Sequence, residues 1–167
     1  MTSEKHLKLL LPYYVKEYRN IISPELAQEI ITQPDLKFFP ATAGGGKTNE
    51  ARRCYVKQLE PKFKKKISTI FKGLFKSYIQ ELKFFDGLKM EDSGYDHLLY
   101  KGEESHEYKE HVDHSQFMKP RVLSCSLLLN DDYQGGNFSF FGGEHVISRL
   151  AYSAVVFPSN PCFPHSI

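Results

Sequence analysis

Cysteine is scarce in this sequence. Cys54, Cys125 and Cys162 are the only three in 167 residues, and no two of them form a CxxC pair. An odd, widely spaced set excludes a fully paired disulfide framework and points to a reducing, intracellular setting. Charge of one sign is also missing. The 22 Lys and Arg stand against 20 Asp and Glu, and a net charge of +2 implies no nucleic-acid partner. Lys62, Lys64, Lys65 and Lys66 cluster locally and read as the solvated face of a helix. Long apolar runs are absent, so no segment approaches membrane-spanning length. The stretch Leu7–Tyr14 is interrupted by Lys8 and Pro12 and lacks a signal peptide's cleavage region. Neither an internal repeat nor a low-complexity tract is present. What remains is a soluble, cytoplasmic, single-domain chain without a membrane partner, and 41% hydrophobic residues are enough for a core.

The first half reads as a helical support region, 1–92, and the second, 93–167, as β-structure. Residues 9–18, rich in Leu, Tyr and Val, are expected to be a strand. Ser23-Pro24-Glu25 then opens a helix over about 23–33, with serine as cap and proline where a missing N–H costs nothing. Residues 43–50, glycine-rich at 44–46, read as a surface loop, with a lid over a pocket as the alternative, and 52–59 as a possible strand. Phe63, Ile67, Ile70, Phe71, Leu74, Phe75, Tyr78 and Leu82 recur at helical spacing and predict an amphipathic helix over 61–83. Short strands are expected at 96–101, 107–113, 121–130, 137–141 and 153–158, separated by turn residues such as Gly135-Gly136. Helices followed by closely spaced short strands suggest an α+β domain with a β-sandwich or barrel.

The chemistry-bearing segment is His111-Val112-Asp113. On a strand, positions i and i+2 share a face, so an imidazole nitrogen and a carboxylate oxygen can reach one point. Two histidines and one carboxylate on one side of iron(II) leave other coordination positions open, as oxygen activation requires. An HxD pair alone is weak; its ordered company is more specific. Tyr100-Lys101-Gly102 precedes it, and Arg121 to Asn130, Gly135-Gly136-Asn137-Phe138 and Phe157-Pro158-Ser159 lead on to His165. Along 121–130 the odd positions Leu123, Cys125, Leu127 and Leu129 form an apolar face, while Ser124 and Ser126 give the other a small, polar character beside Leu128.

This succession resembles the prolyl 4-hydroxylase-like branch of the iron(II)- and 2-oxoglutarate-dependent oxygenases. The resemblance is specific over 93–167 and looser over 13–33. It implies a double-stranded β-helix braced by the N-terminal helices, with His111, Asp113 and His165 as iron(II) ligands. It also implies 2-oxoglutarate as cosubstrate, bound near Tyr100, Tyr108, Ser126 and Leu128, and O2 as co-reactant. The implied reaction hydroxylates an unactivated C–H bond and releases succinate and CO2. A prolyl side chain of a protein or peptide is the leading substrate, and ascorbate a reductant. The sequence leaves the oligomeric state unread.

The chain departs from the family in two places. In the family another strand, carrying an arginine or lysine that pairs with the far carboxylate of 2-oxoglutarate, follows the distal histidine. This chain stops at Ile167, so it reads as truncated, with the last barrel strand missing; a cation from elsewhere, Arg121 or Lys119, is the alternative. Tyr152 stands where the family usually turns on glycine. Two rival functions stay open. One is a non-catalytic binding module on the same scaffold. The other is a nucleotide-binding protein using Ala41 to Thr48 as a relaxed phosphate loop, which Pro40 and the polar 49–53 disfavour. His106 and His111 are five apart and fail the zinc-protease spacing. His114 should be exposed or support a ligand, and His97, His106 and His145 should lie on the surface or in loops.

Overall fold

The computed structural model describes residues 9–33, 37–42, 50–114 and 121–167. The glycine-rich segment 43–49, with Lys47, and the segment holding Lys119 lie outside the described residues. Pro12 produces the first departure from expectation. Its ring fixes φ and removes a donor, so Leu11–Tyr14 forms a 3-10 turn, closed by the Val15 N–H donating to the Pro12 carbonyl at 3.0 Å. The strand expected over 9–18 contracts to β1, Lys16–Tyr18. Ser23 caps α1 (Pro24–Ile31) by accepting from the Leu26 N–H at 3.2 Å. The second helix, α2 (Pro61–Glu81), buries Phe63, Ile67, Leu74 and Tyr78 along one stripe.

The remaining strands are β2 (Phe39–Pro40), β3 (Arg52–Arg53), β4 (Tyr55–Gln58), β5 (Asp96–Leu99), β6 (Glu107–Tyr108), β7 (Leu123–Leu128), β8 (Ser139–Phe140), β9 (His145–Val146), β10 (Ser153–Pro158) and β11 (His165–Ser166). They pair antiparallel in four small sheets, ordered β1-β10-β7, β11-β8-β9, β2-β4-β5 and β3-β6. The runs expected at 107–113 and 137–141 shrink to two residues each, and β2, β9 and β11 were not legible at all. Gly135 and Gly136 take φ values of 72° and 56°, the left-handed turn conformation that glycine adopts without strain. Tyr152, at the expected glycine position, takes φ 65° itself. Its N–H donates to the Leu128 carbonyl at 2.8 Å and its carbonyl accepts from Ile21 at 2.7 Å, which holds the bend.

β10 is the centre of the packing. All six of its residues are buried, because both faces of its sheet are covered. Val155 and Phe157 face a cluster with Val15, Phe138, Phe140, Ile147 and Phe163. Ala154 and Val156 face the other way, onto Leu74, Tyr78 and Leu82 of the α2 segment together with Phe85 and Leu123. Tyr78 is fully buried, and its hydroxyl donates to the Tyr14 carbonyl at 2.7 Å, tying α2 to the N-terminal turn. A third cluster joins α1 to the start of α2 through Ala27, Ile30, Phe63 and Ile67. β5 and β7 are edge strands of their separate sheets. No helix of the described residues is long and apolar enough to cross a membrane.

Candidate metal centre

β6 runs into the HxD segment, and β11 carries the distal histidine. The two meet as direct partners: His111 and His165 form an antiparallel bridge, each N–H donating to the other's carbonyl at 2.9 Å. Tyr108 and Ile167 continue the ladder, at 2.9 and 3.0 Å. Backbone pairing therefore holds two histidines far apart in sequence side by side, with ring centroids 4.2 Å apart.

Asp113 completes the cluster. Its Oδ1 lies 3.8 Å from the His111 Nε2 and 3.9 Å from the His165 Nε2. One ligand atom from each of the three residues lies within 4.8 Å of the others, a spacing at which one cation can be reached by all three. Both rings present the correct nitrogen. The His111 Nδ1 meets the Lys109 carbonyl at 2.9 Å and the His165 Nδ1 meets the Phe163 carbonyl at 3.1 Å. Each Nδ1 therefore carries the proton and each Nε2 keeps its lone pair for a ligand bond.

The electrostatics agree with a donor set built for a cation. Burial and the neighbouring His165 depress the His111 imidazole to about 4. Burial also lowers His165, against the pull of Asp113. Burial alone would raise the Asp113 carboxyl, yet the Ser124 hydrogen bond and the positive Arg121 bring it below its ordinary value. At neutral pH the site thus holds two neutral imidazoles and one carboxylate, the protonation states that metal ligation requires. These residues fit iron(II) in a facial two-histidine, one-carboxylate arrangement.

The surroundings are aromatic on one side and polar on the other. His165 is 4% exposed and packs against the rings of Phe138, Phe140 and Phe157, at 5.4, 5.5 and 4.8 Å between centroids. Tyr108 stacks on His111 at 3.3 Å, and the Arg52 guanidinium lies over the Tyr108 ring at 5.0 Å. Arg121, half-exposed, reaches Asp113 Oδ1 at 3.3 Å. Tyr100, Tyr108, Ser126 and Leu128, the positions singled out for the cosubstrate, all line one broad cavity of about 2680 Å³ with the three ligands. The Tyr100 hydroxyl is buried beside the Cys54 thiol, without a hydrogen bond of good geometry, and burial raises its pKa, so it remains a protonated donor.

Sequence reasoning left some residues of the site unassigned. Ser124 was read only as part of a polar strand face, yet its hydroxyl donates to Asp113 Oδ2 at 2.5 Å. Arg52 has no site role in the sequence reading; its pairing with Tyr108 across β3 and β6 brings it to the cavity. No periodicity in a two-residue strand could have signalled this. His114 is exposed, and its N–H donates to the Ser159 carbonyl at 2.9 Å. His106 lies in a loop as expected, half-buried, whereas His97 and His145 are half-buried strand residues of β5 and β9, and His97 packs edge-on against Phe38.

Comparison with known proteins agrees with this geometry. Residues 96–167 match the 2OG-Fe(II) oxygenase superfamily. A prolyl-4-hydroxylase from Pseudomonas putida is similar in structure, with a TM-score of 0.65 at 20% identity over 98% of this chain and 89% of that one. A Trichoplax adhaerens prolyl hydroxylase, solved with a peptide fragment of the hypoxia inducible factor oxygen degradation domain, gives a TM-score of 0.72 at 14% identity. That match covers 96% of this chain and 80% of the other. No curated protein is significantly similar in sequence.

Proposed function

We propose, from the match of residues 96–167 to the 2OG-Fe(II) oxygenase superfamily, that this protein is an iron(II)- and 2-oxoglutarate-dependent dioxygenase that hydroxylates an unactivated C–H bond. The scaffold in this reading is a double-stranded β-helix. The observation that carries the proposal is the backbone bridge between His111 and His165, which turns both Nε2 atoms toward Asp113 Oδ1.

In this reading His111, Asp113 and His165 hold the metal. Iron(II) with 2-oxoglutarate supplies the activation of O2, and the balance is 2-oxoglutarate, O2 and R–H giving succinate, CO2 and R–OH. The protein's own residues bind and orient. Tyr100 and Tyr108 offer cavity-facing rings, and the Tyr100 hydroxyl is available to donate to a carboxylate. Ser126 and Leu128 form the adjoining strand wall. Arg52 and Arg121 stand beside the triad and supply positive charge for a dianionic cosubstrate. The phenylalanines around His165 exclude water from that side of the site.

A prolyl residue in a polypeptide is the proposed substrate. Both structural neighbours are prolyl hydroxylases, one of them solved with a peptide, and the cavity here is broad enough for an extended chain. Ascorbate is the proposed reductant that keeps the iron ferrous, on the family resemblance alone. Two measurements test the proposal. Anaerobic iron(II) followed by 2-oxoglutarate should produce the visible metal-to-ligand absorption of a chelated 2-oxoacid, and mass spectrometry should then detect succinate after O2 is admitted. Iron binding without either signal would make the protein a non-catalytic module instead.

A further inference from the structure

Asp113 has two carboxylate oxygens, and the structure treats them differently. Oδ1 faces the two imidazoles. Oδ2 accepts the Ser124 hydroxyl at 2.5 Å, and the Ser124 oxygen in turn lies 2.8 Å from the Ser159 hydroxyl. Each hydroxyl has a single proton to donate. Ser124 uses its proton on Asp113, so the Ser159 hydroxyl must donate to Ser124. The relay therefore runs one way, from Ser159 through Ser124 to the carboxylate.

Both hydroxyls of the relay belong to buried residues. Ser124 is 7% exposed and Ser159 1%. The two serines also sit on rigid elements. Ser124 lies in β7 opposite Phe157 of β10. Ser159 directly follows β10, and its N–H donates to the Val122 carbonyl at 3.0 Å. Its carbonyl accepts from the His114 N–H at 2.9 Å, so the same residue also restrains the backbone next to Asp113.

We infer that Ser124 and Ser159 are positioning residues that lock Asp113 as a one-oxygen ligand, keeping its second oxygen away from the metal. This rests on the metal site proposed above. A carboxylate free to rotate could chelate with both oxygens and fill a coordination position that the cosubstrate or O2 needs. A hydrogen bond to a ligating carboxylate also orients it, and loss of such outer partners costs about 10- to 100-fold in metal affinity.

Cobalt(II) is the probe, titrated into the full chain with visible absorption as one readout and chelator competition as the other. His165→Ala should abolish binding, which tests the metal site by itself. Ser124→Ala should weaken cobalt binding about 10-fold or more and reduce the visible band intensity as coordination number rises. Ser124→Thr, which keeps a hydroxyl, should restore both readouts. Ser159→Ala leaves the bond to Asp113 in place but removes its donor, so it should shift the cobalt spectrum in the same direction with a smaller loss of affinity. If Ser124→Ala fails to fold by circular dichroism, the Ser159→Ala spectrum decides. Wild-type affinity and spectrum in the serine variants, alongside a dead His165→Ala, would overturn the positioning role and leave the metal site standing. A wild-type chain that binds no cobalt, or a His165→Ala variant that binds it equally well, would overturn the metal site and this inference with it.

Discussion

Asp113→Asn is the most discriminating single change, because it keeps the shape of the side chain while removing its charge and one of its two acceptor oxygens. A ligand that binds the folded state alone stabilises it by about 2.7 kcal/mol at a hundred times its dissociation constant. For a chain of this size each kcal/mol moves the melting temperature by about 2–4 °C. Saturating iron(II) under anaerobic conditions, or manganese(II) as its redox-stable substitute, should therefore raise the wild-type midpoint by about 5–10 °C. In Asp113→Asn a neutral amide replaces the anionic donor that faces both imidazoles, and the rise should fall below about 1 °C. The metal-free midpoint should fall as well, because the charge-assisted hydrogen bond from the buried Ser124 to the carboxylate is weakened. The Arg121 partner lost is half-exposed, and an ion pair of that kind contributes under about 1 kcal/mol. Differential scanning fluorimetry with and without metal measures both quantities. A variant that keeps half or more of the wild-type rise would show that the cation binds elsewhere, and the reading of the triad would fail.

Three further outcomes follow from the structure. Tyr78→Phe strands the half-buried Tyr14 carbonyl that now accepts a 2.7 Å hydrogen bond; chemical denaturation should show a loss of about 1 kcal/mol, and an unchanged midpoint would mean α2 is not anchored there. Cys162 is exposed, Cys54 is buried and burial pushes the Cys125 thiol up to about 12, so iodoacetamide at pH 8 should label Cys162 first in peptide mapping. Burial depresses His111 to about 4 and also lowers His165. Unfolded imidazoles titrate near about 6.5, so as pH falls below that value the unfolded chain takes up protons that the native site refuses, and stability drops toward pH 4. Thermal melts at pH 7 and 5 should show the decline, and His111→Gln should show less of it; an equal decline in the variant would assign the effect to other groups.

Part of this molecule was legible in the residues themselves because local rules are strong. Ser23-Pro24 and Pro61 start α1 and α2 where capping and proline geometry say they should. The stripe from Phe63 to Tyr78 marks the face that α2 buries. The two-residue step from His111 to Asp113 nominated an imidazole and a carboxylate as partners, although Asp113 sits in a bend rather than on the expected strand, and alternation along β7 separated an apolar face from a serine-bearing one.

Only the tertiary structure could decide the rest. β3, β6, β8, β9 and β11 are two residues long, too short to carry any period, so their partners are set by what packs around them. The His111–His165 bridge, the Arg52–Tyr108 pairing and the hydroxyl relay from Ser159 to Asp113 all join positions remote in the chain. The relay and the packing of His165 lean on β10, which carries Phe157 opposite Ser124 and against the His165 ring and is covered by phenylalanines on one side and α2 on the other. Spacing along a chain can nominate donors for a metal; their meeting at one point is a property of strand pairing and of the core that enforces it.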